Sequence, residues 1–150
     1  MFATHHNQSV MNTKTNQERL IALFEENGLL PEDMFKLRFK DKNSGRTNIV
    51  PIVMRTGIDK IQAKQNIRCS FELIYHSDDL KTAVIKAVGV KGNTFEQTYG
   101  EVNPKNCTSP YPIAVAEKRA RSRIVLKLAG FYAEGAYGED EMKHEAENGD

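Results

Sequence analysis

The sequence predicts an α+β domain, in which an antiparallel β-sheet (a hairpin plus a three-stranded meander) packs against a long C-terminal helix, with a short N-terminal helix. Three observations predict this class. Residues 34–40 alternate strictly between apolar and polar side chains, as in a half-buried strand. Further runs rich in β-forming residues follow between residues 67 and 99. Pro112 and Gly130 then bound a long helical run over 113–129.

The first half of the chain carries the signals of a helix followed by a hairpin. Thr15 or Asn16 provides a cap for a short amphipathic helix over about 16–27. The alternating strand then turns back into a short return strand at 49–53. Because proline cannot donate to a sheet ladder, Pro51 demotes this return strand to a sheet edge or to the start of an element.

The alternating strand has one basic face and one apolar face. Lys36, Arg38 and Lys40 form the basic face, which either lines a ligand groove or keeps an exposed hairpin soluble. The aromatic side chains on the opposite face and in the later strands are expected to pack in the core, since alternation points one strand face inward. These core predictions are Phe35, Phe39, Phe71 and Phe95.

The second half of the chain predicts a helix, a meander and the long helix. Thr56 can cap the second helix, which turns Ile58 and Ile61 inward. The meander strands are predicted at residues 67–76, 80–90 and 94–99. In the long helix, residues 124–129 are apolar nearly all round, so this end of the helix is expected to be buried.

The composition is that of an ordinary globular domain, with 39% hydrophobic and 27% charged residues. No stretch approaches the roughly eighteen apolar residues of a membrane span, and the start of the chain does not read as a secretory signal. Cys69 and Cys107 are too few for a disulfide scaffold or a four-cysteine zinc site. We therefore expect a cytoplasmic protein with reduced thiols, no metal and no cofactor.

Charge is distributed unevenly along a chain whose net charge is only +1. Residues 134–150 hold seven acids and one base, whereas residues 1–133 hold twenty bases and thirteen acids, so the two parts carry −6 and +7. The sequence thus predicts a disordered leader (1–15), a single domain (16–133) and an acidic tail. A basic domain favours nucleic acid as its ligand. The acidic tail either competes with the nucleic acid for the basic surface or only aids solubility.

The long helix carries the densest basic cluster, made of Lys118, Arg119, Arg121, Arg123 and Lys127. Arg119 and Arg123 share a face at spacing i, i+4, from which their guanidinium groups can grip neighbouring phosphates. The alternative is a solvated helix face with internal ion pairs. Glu117 can pair with Arg121, or it can fix Arg119 or Arg123 in a core network.

Several motifs occur in a fixed order within residues 48–141. Residues 56–61 read TGIDKI, residues 99–106 read YGEVNPKN, and residues 116–123 read AEKRARSR; Gly130 and a GED run follow. They resemble the "G-L-x-x-I" helix, the "G-E-A-S-P-E-N" loop and the "A-E-T-R-A-x-A-R" helix of phage and prophage single-strand DNA annealing proteins, the Sak-type relatives of the Rad-fifty-two annealing proteins.

The resemblance implies a ββ–α–βββ–α core that assembles into rings or filaments. It also implies that single-stranded DNA binds along a basic groove shared between subunits, and that complementary strands anneal without ATP during recombination in a bacterial host. A phage exonuclease or a host single-strand-binding protein is the partner expected besides DNA. The chain departs from the family at Lys118, where a small polar residue is usual, and at Ser122, where a small apolar residue is usual.

Phosphate contacts are predicted from the long helix and the second helix, through Lys118, Arg119, Arg121, Arg123, Lys127, Arg55, Lys60 and Lys64. Bases can stack on aromatic rings without sequence preference, and the conceivable platforms are Phe35, Phe39, Tyr75 and Tyr99. Annealing requires neither a nucleophile nor a metal ion. The chain has no P-loop, G-x-G-x-x-G or G-x-S-x-G pattern, so no enzymatic activity is expected.

Two other functions remain open at the level of sequence. The first is plain binding of single-stranded DNA without annealing, which charge alone does not distinguish from the annealing function. The second is a phage regulatory protein that binds a host protein. In that case the exposed edge around Pro51 and the acidic tail would form the interface.

Overall fold

The computed structural model describes residues 15–141 and confirms the α+β class. Most of the predicted leader and the last part of the predicted tail, residues 142–150, lie outside the described residues. No helix within 15–141 is long and apolar enough to cross a membrane. The elements are α1 (Asn16–Glu26), a 3-10 turn (Pro31–Asp33), β1 (Met34–Lys40), β2 (Thr47–Val53), α2 (Arg55–Lys64), β3 (Arg68–His76), β4 (Ala83–Lys91), β5 (Thr94–Val102), α3 (Pro112–Leu128), a second 3-10 turn (Tyr132–Glu134) and β6 (Tyr137–Gly138).

The strands form two three-stranded sheets, one from the hairpin and one from the meander. The meander sheet has the order β3-β4-β5 and is antiparallel throughout. The hairpin sheet has the order β1-β2-β6, and its short third strand runs parallel to β2. That parallel pairing joins Ile52 to Tyr137 and Val53 to Gly138, so it ties the C-terminal part of the described chain to the base of the hairpin.

The core lies between α3 and the meander sheet. Alternate residues of β4, beginning at Ala83, point toward α3 and are buried. Gly100 of β5 makes the closest approach, since a Cβ built there would lie 2.1 Å from the carbonyl oxygen of Ala116 and 2.5 Å from the amide nitrogen of Ala120. Helix and strand backbones are therefore in direct contact, and the small residues on both elements permit it.

The prediction that four aromatic side chains belong to the core is wrong. Their exposed fractions run from 36% to 69% for Phe35, Phe39, Phe71 and Phe95. Only the base of the hairpin, at Ile52 and Val53, is buried, and its distal half has nothing packed over it among the described residues. Phe71 lies on the edge strand β3, and Phe95 lies opposite Val90 on the sheet face turned away from α3.

The domain also continues past the predicted start of the acidic tail at residue 134. Gly135 adopts a left-handed conformation that turns the chain back, and Ala136 and Gly138 are buried. Glu134 forms an ion pair with Arg19 of α1 at 3.0 Å. Charge composition suggested a solvated tail here, but the apolar and glycine residues between the acids let this segment pack as β6.

Helix α2 is positioned by a buried carboxylate and not by the predicted threonine cap. The N-cap residue is Met54, and the Thr56 hydroxyl donates instead to the carboxylate of Asp33 at 2.7 Å. The same carboxylate accepts from the Leu30 amide at 2.8 Å and from the Lys60 ammonium at 2.6 Å. Although burial alone raises it, these donors together lower the pKa of Asp33 to about 2.

Because the pKa of Asp33 is lowered in the folded chain, we expect the protein to lose stability at acid pH. Its carboxylate contributes fully above the ordinary pKa of 3.8, and that contribution disappears as the pH falls through about 2. Asp33→Asn is expected to lower the free energy of unfolding by about 2 kcal/mol at neutral pH, because the charged hydrogen bonds are lost. Urea unfolding of both chains at several pH values measures this. The two stabilities should converge toward acid pH, and parallel curves would contradict the assignment.

Candidate nucleic-acid interface

The basic residues of α3 point in different directions, and Arg119 points inward. Its side chain is buried, with the residue only 7% exposed. The guanidinium donates to the carbonyl oxygen of Glu101 at 3.0 Å, to the Asn106 side chain at 3.1 Å and to the Asn106 carbonyl oxygen at 2.8 Å. Arg119 therefore ties α3 to the end of β5 and to the loop that follows it.

Arg123 lies one turn further along and is engaged at the same strand. It donates to the carbonyl oxygen of Tyr99 at 2.7 Å and to the Glu101 carboxylate at 2.8 Å, and it also pairs with Glu141. Burial lowers the pKa of Arg123, but the two carboxylates outweigh burial and raise it above its usual range. With Arg119, this guanidinium satisfies carbonyl groups on the free edge of β5.

Two further predicted contacts also form ion pairs within the chain. Arg121 donates to Asp59 at 2.5 Å and to the side chain of Gln62 at 2.9 Å, which links α3 to α2. Lys127 lies 3.2 Å from Glu96 of β5. Both pairs are substantially exposed, so each contributes little to stability and opens at small cost when a stronger anion approaches.

A cavity of about 380 Å³ lies between the start of α2 and the middle of α3. We call it the basic cleft because three cationic side chains line it: Arg55, Lys118 and Arg121. Within residues 15–141, the side chains of Arg55 and Lys118 have neither a hydrogen bond nor an ion pair. The remaining polar residues of the cleft are Glu117, Ser122, Glu139 and Asp140.

The structure brings together only part of the predicted DNA-contact set. The basic cleft collects Arg55, Lys118 and Arg121. The others lie elsewhere: Lys60, Lys64, Arg119, Arg123 and Lys127. Lys64 is exposed at the far end of α2, and Lys60 is paired with Asp33. The spacing of the basic residues along α3 indicates that they cannot all face one ligand. It does not show which of them share a surface with residues of α2.

Exposed aromatic and basic side chains extend over other surfaces of the molecule. The basic face of β1 is exposed at Lys36, Arg38 and Lys40. Tyr75 and Tyr99, two of the predicted stacking platforms, are also exposed. Leu73 and Ile74 are exposed on β3, where the pairing register with β4 shifts between Leu73 and Tyr75. The continuous run Leu73-Ile74-Tyr75 is typical of a covered strand, and only the sheet order shows that β3 is an edge.

No group of three or more histidine, cysteine, aspartate or glutamate side chains within 15–141 is placed to hold a metal ion. Of residues 116–123 on α3, those that line the basic cleft are Glu117, Lys118, Arg121 and Ser122. No protein-family model, no curated protein and no solved structure matches this chain.

Proposed function

We propose that this chain binds single-stranded DNA and, as an oligomer, anneals complementary strands without ATP. The observation that carries the proposal is the basic cleft, where Arg55, Lys118 and Arg121 converge from two helices. Arg55 and Lys118 have no side-chain partner within residues 15–141, although three carboxylates, those of Glu117, Glu139 and Asp140, line the same cleft and balance its formal charge. Cations in a cleft attract a polyanion and release its counterions on binding. Within the motif at residues 116–123, Lys118 and Arg121 line this cleft, whereas Arg119 and Arg123 are held at β5.

The basic hairpin is the second proposed phosphate contact. Its first strand carries Lys36, Arg38 and Lys40 on one face, and Lys42 and Arg46 follow in the turn region. All five side chains are exposed, and the distal hairpin extends beyond the packed core. Such an arm can follow a flexible strand that leaves the basic cleft, because phosphate contacts do not require a base sequence.

Annealing further requires that the bases stay reachable while the phosphates are held. Exposed aromatic rings hold bases by stacking, which is tolerant of sequence. Tyr75, Phe95 and Tyr99 are exposed on the meander sheet, and Phe35 and Phe39 are exposed on the hairpin. Binding through phosphates and stacking leaves the hydrogen-bonding edges of the bases free for a complementary strand, and no step of this process consumes ATP.

Oligomer formation is supported by the contrast between the two edges of the meander sheet. The edge of β5 is occupied, because its carbonyl groups accept from Arg119 and Arg123. The edge of β3 has no pairing strand within residues 15–141, and it exposes Leu73 and Ile74. Residues 68–73, which precede the bulge in β3, offer an exposed edge that can pair with a strand of another chain.

The strand that fits this edge is β1 of a second copy. It is also an edge strand, with exposed Phe35 and Phe39 on one face and bases on the other. The β3 strand and the turn after it carry three acids, Glu72, Asp78 and Asp79, against two bases, Arg68 and Lys81, so their net charge is opposite to that of the basic face of β1. Pairing of two different edges is heterologous, and heterologous contacts build rings or filaments. Oligomerisation would align many weak DNA sites along one strand.

The test is the affinity for a labelled single-stranded oligonucleotide across a salt titration, with the matching duplex alongside. We expect a high affinity that falls steeply as the salt concentration rises, and a higher affinity for the single strand than for the duplex. The double variant Arg55→Ala/Lys118→Ala should bind about tenfold more weakly, and its salt slope should be smaller by about 1.4, since each phosphate contact on a single strand adds about 0.7. Annealing of complementary oligonucleotides is then compared for the same two proteins.

The matched control is Lys81→Ala/Lys105→Ala, which removes the same charge from exposed positions outside the basic cleft. An equal loss of affinity in the control would show that overall charge, and not the cleft, governs binding. No binding of the parent chain at low salt would overturn the proposal. The exposed apolar strands would then favour the alternative of a protein that binds another protein.

A further inference from the structure

The first two acids after β6 lie in the basic cleft. The Glu139 carboxylate accepts a hydrogen bond from the backbone amide of Arg55, at 2.8 Å, at the first residue of α2. The Asp140 carboxylate lies 3.5 Å from the Ser122 hydroxyl. Both acids line the same cavity as Lys118. The two carboxylates therefore share the cleft with its cations, but within residues 15–141 neither of them forms an ion pair with the side chains of Arg55, Lys118 or Arg121.

The third acid, Glu141, occupies a neighbouring position on α3. Its carboxylate pairs with the Arg123 guanidinium and accepts a hydrogen bond from the Tyr132 hydroxyl at 2.9 Å. Burial, followed by the charge of Glu141, raises the pKa of Tyr132, so its hydroxyl remains a donor at every physiological pH. Guanidinium and hydroxyl together form an anion site that a carboxylate now fills.

The donors that these three acids use are those that proteins also offer to phosphate groups. A backbone amide at a helix N-terminus and a guanidinium both bind phosphate oxygens as readily as carboxylate oxygens. Residues 139–141 are helical, so their carboxylates point in different directions and meet separate donors on α2, on α3 and at Tyr132. Each carboxylate uses donors that a phosphate oxygen can also accept from.

We infer that residues 139–141, here called the acidic segment, are a built-in competitor that occupies the phosphate sites of the basic cleft until a nucleic acid displaces it. The inference rests on the proposed function, because it names the regulation of the same cleft. Glu141 is displaced together with the other two acids. The inference therefore includes Arg123 and Tyr132, which Glu141 now contacts, among the groups that bind DNA.

The acidic segment is held by one hydrogen bond each at Glu139 and Asp140 and by two partners at Glu141, and little backbone pairing precedes it. Only two residue pairs join β6 to β2, and they precede the segment directly. Glu139, Asp140 and Glu141 are all partly exposed. A segment anchored by so few backbone pairs opens at a small fraction of the free energy of global unfolding, so a polyanion can replace it without disturbing the core.

The test uses Glu139→Gln/Asp140→Asn, which removes two of the competing charges and keeps the Glu141 contacts with Arg123. We expect this variant to bind a labelled single-stranded oligonucleotide about tenfold more tightly than the parent chain at low salt. The matched control is Glu25→Gln/Glu26→Gln, which makes the same change of charge at exposed positions of α1. The control should change the affinity by less than about threefold.

Hydrogen exchange supplies an independent readout of displacement. Adding the oligonucleotide to the parent chain should increase amide exchange in residues 139–141 while the meander sheet stays protected. If the parent binds DNA but these amides stay protected, and the segment variant binds no more tightly than the control, the inference is wrong and the proposed function stands. If the parent chain binds and only the segment variant binds more tightly than the parent, the inference is supported. If no variant binds, the proposed function fails first, and the inference fails with it.

Discussion

Replacing Gly100 with alanine is expected to destabilise the protein by about 3 kcal/mol or more, which lies at the upper end for an overpacked core. The added Cβ would meet the carbonyl oxygen of Ala116 at 2.1 Å and the amide nitrogen of Ala120 at 2.5 Å. Both atoms belong to the backbone of α3, so no side-chain rotation relieves the clash. The helix would have to move away from β5 as a unit.

Gly89 offers a control on the same sheet face. A Cβ there meets side-chain atoms only, at 2.6 Å from Leu128 and 2.7 Å from Ile124. Those side chains can change rotamer, so Gly89→Ala is expected to cost about 1 kcal/mol. Urea unfolding of the two variants measures the difference. Equal losses would show that α3 shifts more easily than the backbone contact at Gly100 implies.

Arg119→Ala should lower the free energy of unfolding by about 2–4 kcal/mol, because buried acceptors would lose a charged donor. The acceptors are the carbonyl oxygens of Glu101 and Asn106 and the Asn106 side chain. Arg119→Lys should recover only part of this loss, since an ammonium does not reproduce the planar fork that spans these groups. Thermal and urea unfolding measure both variants.

The neighbouring position provides the control for Arg119. Lys118→Ala removes an exposed charge and should change stability by no more than about 0.5 kcal/mol. Under conditions where each variant is folded, we expect Lys118→Ala to reduce the salt slope of DNA binding and Arg119→Ala to leave it unchanged. If the Arg119→Ala chain is as stable as the parent but does not bind DNA, the guanidinium of Arg119 contacts DNA and does not stabilise the core.

These outcomes also separate the two interpretations that the basic run of α3 allows. A solvated or internally paired helix face and a phosphate-binding face have the same composition. In the structure the run is divided: Arg119 and Arg123 support the edge of β5, whereas Lys118 faces the basic cleft. One helix can serve both purposes because successive residues point about 100° apart around its axis.

Local signals were sufficient for most of the elements. The strict alternation of residues 34–40 predicted β1 with its observed bounds, and Pro112 and Gly130 bounded α3 to within one residue. The second helix was also expected, although Thr56 does not cap it. Hydrophobic periodicity and the residues that start or stop a helix are properties of neighbouring positions. They can therefore be recognised in the sequence without knowing what packs against the element.

The exposure of faces was decided by tertiary structure. Alternation shows that a strand has two different faces, but it does not show whether another element covers either of them. Phe35 and Phe39 are exposed because the distal hairpin has no covering layer within residues 15–141. Phe95 is exposed because α3 covers the opposite face of the meander. The mistaken core predictions all arise because the sequence does not show which strand faces another element covers.

By itself, the sequence determined the α+β class, the order of elements, the uneven charge and the motif that suggests single-stranded DNA as a ligand. Only the tertiary structure decided which cations share a cleft, and that Glu139 and Asp140 line the same cleft. The physical reason is range. Helix and strand periods arise between residues a few positions apart, whereas Glu139 meets Arg55 across 84 residues of chain. Such a contact exists only once the core has brought distant segments together.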